Sequence, residues 1–390
     1  MPYARTLDAT LRQRASQFPV VTLTGPRQAG KTTLCRSAFA GHAYLNLERP
    51  DTREYAQRDP RGLLAGLRGE GVILDEIQRV PELLSWIQVA ADEQDRPGRF
   101  VLTGSHSFDL MAAVSQSLAG RTALLQLLPM SIAELRGAGV ATTTDRLLHA
   151  GGYPRIHASA LDPTAALADY FATYVERDLR QLLELRHQTE FRRFVRLAAG
   201  RVAQLLNLHA LASDAGVSDP TARAWLSLLE ASFIVRRVEP WFANLGKRLV
   251  KAPKLYFCDV GLACWLIGIT DESQLATHPL RGALFENLVV MEFVKHALHH
   301  GQPVGLNFYR DSSGTEVDLV VEQGLPPGRL GLVEIKSGQT VHHDHFDSMQ
   351  RVAALLDDRV MRRMLVYGGD EVFRREGVEV VGLQASGEAP

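Results

Sequence analysis

The chain has 390 residues with 46% apolar and 22% charged side chains, an ordinary globular composition and a length that suits two or three cores. Its formal charge is −1, so no global field points to nucleic acid or to an anionic membrane, and any such affinity must come from local charge. Three cysteines without paired spacing fit a reducing cytosol, the N-terminal stretch lacks a signal core, and no apolar run approaches the ~20 residues of a membrane span; a cytoplasmic protein without a membrane partner is expected.

The first stretch alternates short apolar runs with helical patterns, the mark of an α/β unit. Strands are predicted at Val20–Thr24, Val72–Asp75 and Phe100–Thr103, with a helix at 31–40 and a closing strand at 124–128 that ends against Pro129. From about 146 to 232 the pattern is helical. After Lys254 short strands return, followed by a long helix near 284–299, alternating strands from 306 to 335, one helix from His342, a strand at 364–367 and a frayed acidic end. These shifts predict domains at 1–145, 146–254 and 255–390.

Gly25-Pro26-Arg27-Gln28-Ala29-Gly30-Lys31-Thr32 fits G-x-x-x-x-G-K-[ST] between a predicted strand and helix, with Thr33 next. Such glycines let backbone N–H groups turn toward phosphates at the positive end of a helix. Lys31 would reach the β and γ phosphates of a nucleoside triphosphate, ATP above all, and Thr32 would hold its Mg²⁺. Gly71-Val-Ile-Leu-Asp75-Glu76 places Asp75 near the metal and Glu76 where it can polarise a water. The third strand ends Thr103-Gly104-Ser105, and Ser105, with Thr103 behind it, is the candidate to contact the γ phosphate or that water.

In the middle, 207–215 carries a helical apolar face, Gly216-Val-Ser218 turns, and a second helix buries Ala222, Trp225, Leu226 and Leu229 while exposing Thr221, Arg223, Ala224 and Ser227. A strand at 233–238 follows as a wing. This is helix-turn-helix spacing. Between positions 177 and 254 there are about 14 Lys/Arg against about 7 Asp/Glu, with Lys247, Arg248, Lys251 and Lys254 clustered after the wing where phosphate contacts would serve. DNA is the expected partner. Arg223 is the strong base reader on the exposed face. A packing or lid module is the competing reading.

The last third places Glu286 in the long helix, Asp318 in the strand Glu316-Val-Asp-Leu-Val-Val, and Glu334 and Lys336 together on one face of Leu332-Val-Glu-Ile-Lys. Two carboxylates converging from adjacent strands predict a second Mg²⁺ or Mn²⁺ between Asp318 and Glu334, with Lys336 orienting a hydroxide or stabilising a pentavalent phosphate. His342-His343-Asp344-His345 reads instead as a solvated helix start.

GPRQAGKTT, ILDEIQ, VLTGS and SLAGR resemble the AAA+ branch of P-loop ATPases. The resemblance implies that Ser105 is a sensor and that Arg121 reaches a neighbouring subunit's γ phosphate as a finger in trans, hence a homo-oligomer. Asp318, fifteen residues, then Glu334-x-Lys336 with Glu286 upstream resembles the PD-(D/E)xK nuclease pattern, although Val317 stands where that pattern has proline. Nearly end to end, including Gly151-Gly-Tyr-Pro154, Tyr174-Val-Glu-Arg-Asp178 and Leu255-Tyr-Phe-Cys-Asp259-Val-Gly261, the chain resembles a prokaryotic family of AAA-type ATPases ending in a domain of unknown function. The expected protein is a Mg²⁺-dependent ATPase acting on DNA through a winged helix and a nuclease-like α/β domain. The alternatives are a regulatory ATP switch whose silent C-terminal domain binds a partner protein, and a toxin or antiphage component.

Overall fold

A computed structural model describes residues 3–67, 69–94, 96–105, 114, 116–141, 143–175, 188–241, 250–323 and 328–383. The chain forms two compact units, one of Met1–Met130 with Ala231–Phe233 and Ala297–Gln302, the other of the remaining segments.

The first unit is built on a parallel five-stranded sheet, β1 (Val20–Thr24), β2 (Ala43–Asn46), β3 (Val72–Asp75), β4 (Phe100–Gly104) and β5 (Thr122–Gln126), in the order β2-β3-β4-β1-β5. Strand side chains alternate between faces, and two cores follow from that. Val20, Leu74, Phe100 and Leu102 pack with the helix Leu83–Glu93 on one face; Val21, Leu23, Ile73 and Val101 pack with the helices Leu7–Ala15 and Lys31–Ala38 on the other. Parallel strands buried on both faces read as continuous apolar runs, which is why β1, β3 and β4 lie where the sequence places them. The edge strand β2, half-exposed along Ala43–Asn46, has no such run and escapes sequence reasoning. The closing strand starts at Thr122 instead of 124, because Thr22 Oγ1 and Thr122 Oγ1, 3.0 Å apart, extend the pairing with β1.

In the second unit, the helices Gln188–Ala199, Leu208–Ala215 and Asp219–Ala231 share a core in which Phe191 and Phe194 meet Trp225 edge-on at 5.2 and 5.4 Å between ring centroids. Asn207 caps the second helix through the Ala210 N–H, Gly216 ends it at φ 78°, and Ser218 accepts from Thr221 N–H, as the sequence chemistry predicts. Antiparallel β6 (Val235–Val238) and β7 (Lys254–Phe257) follow, and Leu205 bridges to Lys254 on β7's other edge.

The remaining chain forms a six-stranded mixed sheet, β8 (Leu306–Arg310), β9 (Glu316–Gln323), β10 (Arg329–Lys336), β11 (Val360–Tyr367), β12 (Val372–Arg375) and β13 (Val378–Gly382), in the order β12-β13-β11-β10-β9-β8. The helix Asp347–Leu356 buries Met349, Val352 and Leu356 on it. The expected frayed end is corrected here as far as Gly382: the β12–β13 hairpin turns through Glu376 and Gly377, and β13 joins β11 in parallel. Residues 384–390 lie outside the described residues. The histidine run opens as a 3-10 turn, His343–Phe346, with exposed His343 paired to Glu376 at 2.7 Å. Asp259 ties two of the linking segments together: its side chain caps Leu262 N–H and accepts Gly152 N–H at 2.7 Å, and a Cβ on Gly261 would stand 2.7 Å from Gly151 N.

Among the described residues, no helix is long and apolar enough to cross a membrane.

Candidate functional site

The phosphate loop leaves the C-terminal end of the interior strand β1. Gly25 at φ 147° passes so close to the strand-end carbonyl of Leu127 that a Cβ would lie 2.1 Å from its oxygen, so only glycine fits. Gln28 at φ 61° and Gly30 at φ 95° take the left-handed turns that bring the loop into the helix Lys31–Ala38. Arg5 braces the loop, donating to Ala29 O at 2.6 Å and to Leu128 O at 2.7 Å. Pro26 and Ala29 are buried, Arg27 is half-buried, and Thr33 is exposed.

Lys31 is buried and donates to Gly25 O at 2.9 Å and Pro26 O at 2.8 Å. Its ammonium thus rests against the loop on neutral carbonyls. Burial pushes its pKa down to about 8, although the carboxylates of Glu76 and Asp75 pull the other way. Asp75 ends β3 beside it, accepting from Thr32 Oγ1 at 3.1 and 3.0 Å, from Tyr44 Oη at 2.7 Å, and from Thr103 Oγ1. A hydroxyl and a carboxylate in contact beside a phosphate loop are the hard oxygen pair that suits Mg²⁺ bound to a triphosphate.

Glu76 follows at φ 59°, an uncommon conformation for a non-glycine residue. Ser105 Oγ, at the end of β4, donates to Glu76 Oε2 at 3.3 Å, and Gln78 Nε2 donates to both Glu76 and Ser105. Parallel pairing brings the ends of β1, β3 and β4 to one edge of the sheet, so Lys31, Thr32, Asp75, Glu76, Thr103 and Ser105 converge there. Arg121 does not join them. It precedes β5 at the opposite end of the sheet, roughly 15 Å away along the strand, and forks onto Asp92, with Nη2 to Oδ2 at 2.9 Å. Sequence reasoning misses Tyr44, Gln78 and Arg5: Tyr44 sits on the unrecognised edge strand, and Arg5 has no motif around it. Gln78 stands within ILDEIQ, two residues past Glu76, where its reach is readable.

Lys31 carries a pH dependence. By itself Lys31 loses its proton as pH rises through about 8, whereas a bound triphosphate favours the charged form. ATP affinity is expected to stay flat below that pH and to fall above it by up to roughly tenfold per pH unit, with proton uptake on binding. Calorimetry at about pH 8.5 in two buffers of different ionisation enthalpy checks this; zero uptake would contradict it.

In the second unit, Glu286 of the helix Arg281–His299, Asp318 of β9 and Glu334 of β10 do converge, but around a residue expected elsewhere. Lys254, assigned by the sequence to the exposed basic cluster, is buried at the start of β7. Its Nζ lies 2.8 Å from Glu286 Oε1, 2.6 Å from Glu316 Oε1 and 3.8 Å from Asp318 Oδ1. Burial opposes that charge, but Glu286, Asp318 and Glu316 outweigh it and hold the ammonium above the ordinary lysine value. Tyr256 Oη also donates to Glu286 Oε1 at 2.7 Å. Asp318 Oδ2 accepts Ile335 N–H at 2.8 Å, and Lys336 Nζ pairs with Glu334 Oε1 at 2.7 Å. Burial and the charge of Asp318 push the Glu334 carboxyl above the ordinary carboxylate value, while the Lys336 ammonium pulls it back.

The expected second Mg²⁺ or Mn²⁺ is not supported by this set: the ammonium of Lys254 already stands beside Asp318. Among the described residues no group of three or more His, Cys, Asp or Glu side chains is placed to hold a metal. Glu316 is readable as a member, since it shares Asp318's face two residues upstream in β9.

Of the expected nucleic-acid residues, Arg223 and Lys251 are exposed, while Lys247 and Arg248 lie outside the described residues. A further basic surface appears on the helix Gln188–Ala199, where Arg192, Arg193 and Arg196 stand opposite the buried Phe191, Phe194 and Val195. With His278 and Leu280 they line a depression of about 750 Å³.

Residues 17–136 match the family described as AAA domain, which establishes this part as an AAA-type P-loop ATPase domain, with the nucleotide that such a fold uses. Residues 141–273 and 281–385 match two families each described as a domain of unknown function. Two curated relatives are 38% identical over 375 residues, 95% of this chain and 81% of theirs: Uncharacterized protein Rv2008c of Mycobacterium tuberculosis and Uncharacterized protein Mb2031c of Mycobacterium bovis. Among solved structures, the Walker-type ATPase PABY2304 of Pyrococcus abyssi is 16% identical, with a TM-score of 0.44 over 67% of this chain and 94% of that one.

Proposed function

We propose, from its AAA domain, its phosphate-loop site and the basic surface of its middle part, that this chain, which belongs to the family of the mycobacterial protein Rv2008c, is a Mg²⁺-dependent ATPase working on DNA. The observation that carries the reading is the contact of Thr32 with Asp75 beside the buried Lys31, with Glu76 and Ser105 hydrogen-bonded to each other at the same sheet edge. Lys31 would exchange its two carbonyl partners for the β and γ phosphates, and Gly25 to Thr33 would wrap them with main-chain N–H groups. Thr32 and Asp75 would hold Mg²⁺, which supplies charge neutralisation at the phosphates. Glu76 would orient and deprotonate the attacking water, kept in place by Ser105 and Gln78. Arg121 faces away from its own loop, which suits service to a neighbouring subunit in a homo-oligomer.

The DNA part rests on the middle of the chain. Three helices, the β6–β7 pair and the Leu205 bridge have the composition of a winged helix, the proposed domain 146–254 ending where β7 begins. Its cationic side chains Arg192, Arg193, Arg196, Arg223 and Lys251 are exposed, and phosphates are their expected partners. Removing one cation that neutralises a phosphate flattens the slope of log affinity against log salt by about 0.9. Arg193→Ala with Arg196→Ala is therefore expected to weaken DNA binding and flatten that slope by about 2, leaving ATP affinity unchanged. The test is ATPase rate and DNA affinity of the full chain across salt. No DNA binding at ~50 mM salt would remove DNA from the reading. A second reading, an ATP switch whose C-terminal domain (255–390) keeps a nuclease-like sheet to bind a partner protein, is favoured by the position of Lys254.

A further inference from the structure

We propose that Lys254 is a built-in cation of the C-terminal domain: its ammonium takes the place a divalent metal would hold among Glu286, Glu316 and Asp318, so the domain binds no such metal and cleaves no phosphodiester there. Lys254 opens β7, pairing with Val238 of β6 on one side and bridging to Leu205 on the other. The strand of the helical module thus carries a lysine into the space between the helix Arg281–His299 and β9. There its Nζ meets Glu286 Oε1 at 2.8 Å and Glu316 Oε1 at 2.6 Å, with Asp318 Oδ1 at 3.8 Å and the Phe308 ring centroid at 5.5 Å.

Two of its three donors are used by carboxylates, and the side chain is almost wholly out of water. A metal entering here would have to stand beside a positive charge that cannot leave, because it is tethered to the backbone. Moving the ammonium out would strip a buried ion pair, a change that proteins tolerate poorly. Of the neighbouring oxygens, Asp318 Oδ2 takes the Ile335 N–H and Glu334 Oε1 takes Lys336, while Glu334 Oε2 is buried without a hydrogen-bond partner, so it is the ammonium among Glu286, Glu316 and Asp318 that opposes a metal. The phosphate loop plays no part in this arrangement, and nucleotide is left out of the test.

The experiment is Mn²⁺ binding to the full chain without nucleotide, read from the free-ion electron paramagnetic resonance signal. Wild type and Asp318→Asn are expected to behave alike, with no stoichiometric site below ~1 mM. Lys254→Met keeps the stem and removes the charge, and it is expected to gain one Mn²⁺ site that a further Asp318→Asn abolishes. Stoichiometric Mn²⁺ on wild type that Asp318→Asn removes would overturn the proposal, as would a folded Lys254→Met that takes up no Mn²⁺. If Lys254→Met does not fold, wild type and Asp318→Asn decide by themselves: no site in either supports the proposal, and a site in wild type alone overturns it.

Discussion

Glu76→Gln is expected to keep MgATP binding and to slow turnover by roughly 10²–10⁴-fold, the usual contribution of a positioned base. The substitution preserves size and one acceptor oxygen, so Ser105 and Gln78 keep a partner, and the bonds of Lys31, Thr32 and Asp75 are untouched. What disappears is the negative charge that can accept a proton from water at the end of β3. Glu76 is held at φ 59° whether its side chain is acid or amide, so the loop geometry should survive the change. Phosphate release at saturating ATP measures the effect. Turnover equal to wild type would assign the base elsewhere.

Lys31→Ala should cost about 10²-fold or more in ATP affinity. Two charge-assisted hydrogen bonds to phosphate oxygens disappear, each of order 1.5–3 kcal/mol, and every 1.4 kcal/mol is about tenfold. The same ammonium donates to Gly25 O and Pro26 O. Lys31→Met keeps more of the buried stem, and it should lose affinity to a similar degree while melting closer to wild type. Equal losses in the two variants locate the effect in the charge; an affinity loss in Lys31→Ala alone would make it one of packing.

The parts of this protein that are legible in its sequence are those whose chemistry is local. Gly25 and Gly30 are needed because one touches Leu127 O and the other turns left-handed, and a spacing motif captures both. Val72–Asp75 and Phe100–Gly104 are buried on both faces, so their apolar runs locate them and, through parallel pairing, bring Asp75 and Ser105 toward the loop. The turn Gly216-Val217-Ser218 is readable for the same reason, since its cap and its left-handed glycine act within three residues.

What escapes depends on contacts distant in the chain. Tyr44 reaches Asp75 from a half-exposed edge strand, and Arg5 reaches Ala29 and Leu128 from the N-terminus. Lys254 looks like one member of a surface cluster when charge alone is counted; its burial is set by Glu286 and Glu316, 32 and 62 positions later. Acidic residues with a metal and acidic residues with a lysine look the same in sequence until the fold delivers the cation.

Calorimetric titration of the full chain with ATP in excess Mg²⁺, run beside Lys31→Ala, tests the phosphate-loop assignment most directly. One site per chain in wild type, weakened by about 10²-fold in the variant, is the predicted result. Wild-type affinity in Lys31→Ala, or no binding of ATP by the wild-type chain, would contradict it.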